Sequence, residues 1–413
     1  MITGGAGGRP LSEFGWMSML TDTEKSILGE IAPEKLYALT AELVRRPSVS
    51  GEERAVADLI ANFLGDHGFD AEMTEVEPGR PNVLACWGAE AGPALLLTGH
   101  SDTVPVGEGW SRDPFGAEIA DGRLYGRGSC DMKAGLAGML LAMVAVKRRL
   151  PRPARQVIFA ACVDEEEGGK GTQEALRKGL AAEWAVIGEP TELQPIGAAK
   201  GNAYFEVKVR GRSAHAGSPE LGANAIYGAA KAIEAVQRHH AELRTRSHPL
   251  LGTPSASVGT VSGGFTVSAV PDSCTFWIDR RLIPGEDGNS ALAELSRRLH
   301  EDGAAYPGTR IEERLAMEMP AMQSPPDHPI FAALAAAAAD AGGPSLPLGA
   351  WSAACDGGFL QRGGIAPVVL FGPGSIVRQA HRPDEFVPLS ETLNAARTYA
   401  LLTARWLSAA ADR

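Results

Sequence analysis

The sequence predicts an α/β protein whose central, mostly parallel sheet is interrupted by an α+β insert. Short continuous apolar runs, typical of strands buried on both faces, occur as ALLLT at 94–98, VIFAACV at 157–163 and WAVIG at 184–188. Between the first two of these runs, apolar residues recur at helical spacing from Lys133 to Arg149. Strands that alternate with helices indicate a largely parallel sheet with helices on its faces.

The pattern changes in the middle of the chain, where apolar and charged residues alternate. The segments 203–210 and 274–278 read as strands with one apolar and one exposed face, as in an antiparallel sheet. Helices are predicted at about 223–244 and 289–302, and two helices on one face of such a sheet would form a compact insert.

The alternation of helices with buried strands then returns, with an Ala-rich helix near Pro329 and a buried strand at 367–372. We therefore predict a discontinuous catalytic domain, residues 1–202 and 323–413, and an inserted domain, residues 203–322. Two domains also suit a chain of 413 residues, which exceeds what one hydrophobic core usually supports. A Gly-rich head, expected to be mobile, precedes the first helical pattern.

Composition and charge narrow the class of protein. The chain is 44% hydrophobic and 22% charged, as expected of a globular protein, and its formal net charge is −11. This charge argues against nucleic acid or an anionic membrane as a partner, since either favours a basic surface. We expect no signal peptide, and no apolar run approaches the ~20 residues needed to span a bilayer. The five cysteines form no CxxC pair, which indicates reduced thiols and a cytoplasmic location.

Two histidines and three carboxylates fall at the spacing that a two-metal hydrolase site requires. They are His100, Asp131, Glu166, Glu189 and His381. Each lies where an apolar run gives way to a Gly-rich turn, and such strand ends are where α/β sheets expose their chemistry. Together they can hold two divalent cations about 3.5–4 Å apart that share one Asp. Nitrogen and oxygen ligands without a thiolate suit zinc, with cobalt or manganese as alternatives.

Each motif alone also has a simpler reading. His100 could be a strand-end histidine that bonds a neighbour, and Asp131 could cap the helix that follows it. The four carboxylates at 164–167 could form a solvated acidic loop. It is the combination of the motifs that favours a metal site.

Two further acidic residues lie beside these candidate ligands. Asp102 follows His100 by two residues, so on an extended chain both side chains point the same way and Asp102 could orient the imidazole. Glu165 directly precedes Glu166, and neighbouring side chains at a strand end diverge. One of the two can therefore bind metal while the other acts as a base on water.

Several motifs occur in the order and spacing of one family. They are TGHSDTVP, WSRDPFGAEIADGRLYGRGSCDMKAG, DEEEGG, IGEPT, GRSAHAGSPELGANAI, VPDSCTFWIDRRLIPGED and FGPG…AHRPDEF. From about Leu36 to its C-terminus, the chain resembles the dinuclear zinc family of acetylornithine deacetylase, succinyl-diaminopimelate desuccinylase, aminoacylase and related carboxypeptidases. The resemblance implies a zinc-peptidase-like α/β domain, an inserted ferredoxin-like lid and dimerisation domain, and a homodimer.

The resemblance also implies roles for individual residues. Asp131 would bridge two metal ions in each subunit, and Glu165 would be the general base and acid. His215, which as a lone histidine would more often be structural, would stabilise the oxyanion, commonly in the active site of the partner subunit. Arg281 would bind a substrate carboxylate, a task that suits the bidentate geometry of a guanidinium group.

The chain departs from the family pattern near the substrate. Ser268 stands where many relatives carry Asn, and Gly358 stands where many carry Arg shortly after the Asp that matches Asp356. Both changes remove polar contacts and leave the exact substrate open, while the hydrolytic centre is intact.

We predict a metal-dependent amidohydrolase that cleaves an N-acyl amino acid such as N-acetylornithine, through a metal-bridging water and Glu165 as the base. Dipeptidase or carboxypeptidase activity, or other hydrolytic C–N cleavage of a small carboxylate-bearing substrate, is the main alternative. A non-catalytic metal-binding protein is a remote one, because such a protein would be expected to lose its base or a ligand.

Overall fold

The computed structural model describes residues 20–89, 92–150, 153, 155–301 and 306–409. The Gly-rich head that was predicted to be mobile lies outside the described residues. The described helices are α1 (Asp22–Glu30), α2 (Pro33–Val44), α3 (Arg54–Asp66), α4 (Ala134–Arg149), α5 (Lys170–Arg177), α6 (Ala225–Leu243), α7 (Gly288–Glu301), α8 (Pro329–Asp340), α9 (Gly357–Arg362) and α10 (Leu389–Ser408).

The strands follow the same order along the chain. Those of the described residues are β1 (Ala71–Glu77), β2 (Arg80–Gly88), β3 (Ala94–His100), β4 (Ile119–Ala120), β5 (Arg123–Tyr125), β6 (Gln156–Cys162), β7 (Trp184–Ile187), β8 (Ile196–Ala199), β9 (Gly201–Arg210), β10 (Ala214–His215), β11 (Ser255–Gly263), β12 (Ala269–Val270), β13 (Ser273–Leu282), β14 (Arg310–Met319), β15 (Met322–Gln323), β16 (Gly349–Trp351), β17 (Val368–Leu370) and β18 (Phe386–Pro388).

A large mixed sheet, in the order β1-β2-β6-β3-β7-β17-β8-β15 with β16 also paired to β8, forms the centre of the molecule. Its central strands β6, β3, β7 and β17 are parallel. The hairpin of β1 and β2 adds antiparallel strands at one edge, and β8 with β15 does so at the other. The predicted α/β class with a mostly parallel central sheet is therefore confirmed.

Both faces of this sheet are buried, which explains the continuous apolar runs in its strands. In β3, Leu95 and Leu97 join an apolar cluster with residues of α1–α4, α8 and α10. Ala94 and Leu96 belong to a second cluster, which includes Leu360 of α9. Successive residues of a strand point to opposite faces, so an apolar residue is needed at each position.

Helix α4 crosses the core and is preceded by a π-helical turn, Ser129–Lys133. Together they span 21 residues and contain an 18-residue window of mean hydropathy 1.5, which is long and apolar enough to cross a membrane by length and composition, but that window is 100% buried inside the protein. The uninterrupted apolar run within it, 134–146, stays short of the ~20 residues predicted to be needed, and burial identifies the segment as a core helix. The predicted stop at position 151 lies outside the described residues.

A separate antiparallel sheet, in the order β11-β13-β9-β14, occupies the middle of the chain. It has its own apolar cluster, which contains Phe205, Phe276, Ala229 of α6 and Leu295 of α7. The helices predicted at 223–244 and 289–302 are observed as α6 and α7. The first strand of this sheet begins at Gly201, two residues before the predicted domain boundary, and the division of the chain into domains stays a prediction.

Candidate metal centre

The carboxyl ends of neighbouring parallel strands bring predicted ligands to one edge of the large sheet. His100 is the last residue of β3, Glu166 follows β6 after a short turn, and Glu189 follows β7. Parallel strands end at the same edge, where α/β sheets bind their ligands. Because the three strands are apolar and buried along most of their length, charged side chains are concentrated at this edge.

Asp131 reaches the same edge from the π-helical turn before α4. The residue at the N-cap of α4 is Lys133, and no side chain caps that helix end. The alternative reading of Asp131 as a helix cap is therefore wrong. The turn places Asp131 in a non-helical backbone conformation, with φ −120° and ψ 97°, and neither carboxylate oxygen caps the helix.

The Asp131 carboxylate contacts both predicted histidine ligands, one with each oxygen. Oδ1 lies 3.0 Å from Nε2 of His100, and Oδ2 lies 3.1 Å from Nε2 of His381. Nε2 of His381 also lies 3.2 Å from Oε1 of Glu166. Ligand atoms of His100, Asp131 and Glu166 all lie within 4.8 Å of one another, a grouping that could hold a metal ion.

The chemistry of these donors fits divalent metal ions, since imidazole nitrogen and carboxylate oxygen are the ligands that zinc and similar ions accept. The thiol of Cys130, next in sequence to Asp131, is buried and lies 3.7 Å from both the Ser375 carbonyl and Oε1 of Gln379. It is therefore engaged away from the ligand atoms. The side chain of His381 is 43% exposed, so the cluster is open to solvent on that side.

Glu189 is the predicted ligand that the structure leaves without a direct contact to the others. Among the hydrogen bonds and ion pairs of the described residues, it makes none with this cluster. Its carboxyl group is buried, and burial together with the negative charge of Asp131 raises its pKa well above the ordinary value. Glu189 is thus near enough to Asp131 to interact electrostatically.

Burial and neighbouring charge also set the ionisation of the other acids. Burial raises the pKa of Glu165 well above its ordinary value, with His100 opposing this shift and Glu189 reinforcing it. For Asp131, burial acts in the same direction, but hydrogen bonds to His100 and His381 outweigh it and hold the pKa below the ordinary value. Closely packed carboxyl groups disfavour each other's ionisation, and a bound cation would relieve that repulsion.

The Asp102 carboxylate holds the backbone of the segment that carries Glu165 and Glu166. Oδ1 accepts a hydrogen bond from the Glu165 amide at 3.1 Å, and Oδ2 accepts from the Glu166 amide at 3.2 Å and from the Ser50 hydroxyl at 2.7 Å. Nδ1 of His100 lies 2.9 Å from the backbone carbonyl oxygen of Asp102 and 3.7 Å from its Oδ1. Asp102 thus orients His100 through its main chain, whereas the sequence suggested its side chain.

His215 and Ser268 lie together, but apart from this cluster. Both residues are exposed, and the amide of Ala216 donates a 3.0 Å hydrogen bond to the carbonyl of Ser268. Nδ1 of His215 accepts from the Gly217 amide at 3.0 Å. Among the contacts of the described residues, neither His215 nor Ser268 touches a predicted metal ligand.

Arg281 lies on β13. Among the contacts of the described residues, it also makes none with the candidate metal ligands. Its Nη2 lies 2.9 Å from Oδ2 of Asp279, and the side chain is about one-third exposed. Lys200, between β8 and β9, is close by: burial, and then the positive charges of Arg281 and Arg280, lower the pKa of its ammonium group. Arg280 and Arg281 are each paired with a carboxylate, of Glu286 and Asp279 respectively.

The departure at Gly358 has a steric explanation. A Cβ atom at this position would lie 2.0 Å from the carbonyl oxygen of Pro320, in the segment that links β14 to β15. The backbones approach so closely here that an Arg side chain could be accommodated only by moving this link.

Sequence reasoning missed the charged residues that anchor the ligand segments. Arg80 makes two hydrogen bonds to the Glu53 carboxylate, at 2.6 and 2.8 Å, and one to Oδ1 of Asp164 at 2.7 Å. Glu385 bonds to the turn that carries Asp131. These side chains are buried, and no local pattern in the sequence distinguishes them from ordinary surface charges.

An α/β sheet whose parallel strands end at a cluster of two histidines and several carboxylates defines a metallohydrolase type of centre. The chain matches the model of peptidase family M20/M25/M40 over residues 96–405, and it belongs to this family. It is therefore a hydrolase of a metal-binding family, as the sequence motifs predicted.

Individual relatives agree with this assignment. Acetylornithine deacetylase from Proteus mirabilis (strain HI4320) is 32% identical over 371 residues, which cover 85% of this chain and 92% of that protein. An M20 family metallo-carboxypeptidase from Sulfolobus solfataricus superposes with a TM-score of 0.73 at 21% identity, covering 90% of this chain and 98% of that one. A dinuclear metal-binding peptidase from Bacillus subtilis gives 0.69 at 18% identity, covering 91% and 98%. At these identities, the two structures support the fold alone.

Proposed function

We propose that the protein cleaves the amide bond of a small N-acyl amino acid, in the manner of an acetylornithine deacetylase. The observation that carries the proposal is the position of Asp131, whose two carboxylate oxygens face one histidine each, beside the buried Glu165. A shared carboxylate between two sets of donors suits a pair of divalent cations. The identity to acetylornithine deacetylase supports this substrate class over others in the family.

The metal ions are proposed to be two zinc ions per subunit, held by His100, Asp131, Glu166, Glu189 and His381. When bound, such ions polarise the substrate carbonyl and make water more acidic. Glu165 accepts a proton from the attacking water and returns it to the leaving amine, which is general base and acid catalysis by one side chain. The Asp102 carboxylate orients Glu165 by binding its backbone amide.

The substrate carboxylate is proposed to bind Arg281, and the developing oxyanion is proposed to be stabilised by His215. The Arg281 side chain is about one-third exposed and pairs with Asp279, and a substrate carboxylate would bind the guanidinium group in place of, or beside, that partner. His215 is exposed and has no contact with the predicted ligands among the described residues, so its role requires either movement of its sheet or a second subunit.

We further propose a homodimer formed along β11, one of the two edge strands of the antiparallel sheet. An edge strand offers unpaired backbone groups to a second chain. On β11 and in the loop that follows it, apolar side chains are exposed to solvent: Val261 is 59% exposed, Phe265 78% and Val267 101%. An apolar surface of this kind favours a protein partner, and nucleic acid and membrane remain disfavoured by the net charge of −11.

A cytoplasmic location is also proposed, because the five cysteines are free thiols, four of them buried. Cell fractionation of the tagged protein would test this location. Recovery in a secreted or membrane fraction would contradict it.

A substrate screen tests the proposed activity. The zinc-loaded and cobalt-loaded enzyme is incubated with N-acetylornithine, other N-acyl amino acids, dipeptides and the matching amino-acid amides, and release of the free amine is measured. We expect the highest kcat/KM on an N-acyl amino acid with a free carboxylate. Preferential cleavage of dipeptides would instead establish the dipeptidase alternative.

A further inference from the structure

Glu385 connects the two segments that carry the shared carboxylate and the exposed histidine of the metal cluster. It lies four residues after His381 and is only 1% exposed. Its Oε1 accepts hydrogen bonds from the backbone amides of Cys130 at 3.0 Å and Asp131 at 3.2 Å. One buried carboxylate therefore links the His381 segment to the turn that holds Asp131.

Arg127 completes this connection. Its guanidinium group forms a buried ion pair with Oε2 of Glu385, and its Nη2 donates a 3.0 Å hydrogen bond to the carbonyl of Val106. The backbone amide of Gly126 donates to the carbonyl of Glu385 at 2.8 Å. Val106 lies in the segment after His100, so the network reaches the third ligand-bearing region as well.

The hydrogen bonds from the Cys130 and Asp131 amides to Glu385 hold the π-helical turn that carries Asp131. No side chain caps the start of this turn, and the amides of Cys130 and Asp131 point to Glu385. Buried amides without a partner cost free energy, and removing one member of a buried ion pair leaves an uncompensated charge. The position of the Asp131 carboxylate therefore depends on the carboxylate of Glu385.

We propose that Glu385, held by Arg127, is a positioning residue that sets the distance between the Asp131 and His381 segments and thereby determines metal affinity. It acts through the backbone and is not itself a ligand. Outer partners that orient metal ligands typically contribute about 10–100-fold to metal affinity. The inference rests on the proposed metal centre, but it does not depend on which amide is the substrate.

Metal affinity tests the proposal without using substrate. Zinc dissociation constants of the unmodified chain, Glu385→Gln and Glu385→Asp are measured by competition with a chromogenic chelator. The absorption spectrum of the cobalt-loaded protein reports the coordination of the metal. Glu385→Gln removes the charge that pairs with Arg127, and Glu385→Asp keeps the charge but shortens its reach. We expect zinc to bind about 10–100-fold more weakly in both variants, with an altered cobalt spectrum.

The chain offers a matched control in Glu286. Its Oε1 pairs with the buried Arg280 at 2.8 Å, and its Oε2 accepts from the Ile283 amide at 3.1 Å, as Glu385 does for Arg127 and the Asp131 turn. Glu286 lies just after β13, in the antiparallel region. We expect Glu286→Gln to lower stability while leaving zinc affinity unchanged.

The outcomes separate positioning from general stabilisation. Unchanged zinc affinity in a folded Glu385 variant would overturn the proposal, as would an equal loss in Glu286→Gln. If Glu385→Gln fails to fold, Glu385→Asp and Arg127→Lys carry the test. Arg127→Lys keeps a cation beside Glu385 and should therefore retain more zinc affinity than Arg127→Met. Equal zinc affinities of the two Arg127 variants would also count against the proposal. Failure of the substrate screen alone would leave these affinities, and hence the inference, intact.

Discussion

The geometry of the candidate metal site depends on the position of the Asp131 side chain. Its two oxygens face His100 and His381, residues that are distant in sequence and come from separate segments. The acidic residues nearby have different surroundings: Glu165 is buried, and Glu166 contacts His381. These differences support separate roles for adjacent glutamates, with Glu165 as base and Glu166 as ligand.

The first prediction separates these two roles. Glu165→Gln should keep near-normal metal content but lose about 10²–10⁴-fold in kcat, because it removes the general base. Glu166→Gln should weaken metal binding instead. Metal content is measured by atomic emission and turnover by release of the amine. Glu167, which is exposed, provides the control variant Glu167→Gln, with little expected change. A Glu165→Gln variant that lost metal and recovered activity on metal addition would reverse the assignment.

The second prediction concerns Arg281 and the substrate carboxylate. Arg281→Ala should raise the barrier for a carboxylate-bearing substrate by roughly 2–5 kcal/mol if the pair is desolvated, but should have little effect on its methyl ester. The comparison is made as kcat/KM on both substrates. Arg310→Ala, at a residue of β14 whose side chain is 75% exposed, is the control. Equal losses on acid and ester would exclude carboxylate recognition by Arg281.

At the scale of elements, loops are held in place by buried charge. The segment that follows β6 carries Glu165 and Glu166, and its first acidic residue, Asp164, has a φ of +72°, which is uncommon for a residue other than Gly. The Asp164 carbonyl accepts hydrogen bonds from Gly168 and Gly169 at 2.9 and 2.6 Å. Arg80 binds the Asp164 side chain from β2, so the edge hairpin supports the loop that carries Glu165 and Glu166.

The third prediction tests this support. Arg80→Met should destabilise the protein by about 3–5 kcal/mol, because it leaves the carboxylates of Glu53 and Asp164 buried without their partner. Chemical denaturation of the metal-free protein measures the free energy of unfolding. In the control Arg54→Met, two exposed ion pairs, with Asp58 and Glu75, are lost, and about 0–1 kcal/mol is expected for each. Similar losses in both variants would mean that the buried network contributes no more than a surface pair.

At the scale of the whole molecule, the residues proposed for the active site belong to two different sheets. The metal cluster lies at the edge of the large sheet, whereas His215, Ser268 and Arg281 belong to the antiparallel region. His215 makes no contact with the cluster among the described residues, and the exposed apolar side chains near β11 offer a surface for a second subunit. A dimer in which His215 serves the partner's metal centre satisfies both observations.

The fourth prediction is complementation between two inactive variants. His215→Ala should lose about 10²–10³-fold in rate while remaining metallated, as expected for removal of an oxyanion donor. After subunit exchange with Glu165→Ala, hybrid dimers should contain one site with both residues intact and recover part of the activity. His300→Ala, at another half-exposed histidine of the antiparallel region, is expected to be active by itself. No recovery after proven exchange would show that His215 does not act across subunits.

The fold class and the candidate ligands could be predicted because each depends on a local pattern. Buried parallel strands require continuous apolar residues, as in β3, and the carboxyl ends of such strands are where charged ligands meet. The β1–β2 hairpin was not predicted, because β1 is only partly buried and the buried part of β2 includes the polar residues Arg80 and Asn82, so neither strand shows a clear apolar run.

What the sequence determined by itself is the α/β class, the family, and the set of residues that meets at the sheet edge. Only the tertiary structure decided that Asp102 binds the backbone of Glu165, that Asp131 lies in a π-helical turn, and that Arg80 and Glu385 anchor the ligand segments. The reason is physical: a strand that is buried on both faces requires apolar residues at consecutive positions, and the sequence shows that run directly. A buried ion pair between distant segments depends on contacts, such as that of Arg127 with Glu385, that leave no local pattern.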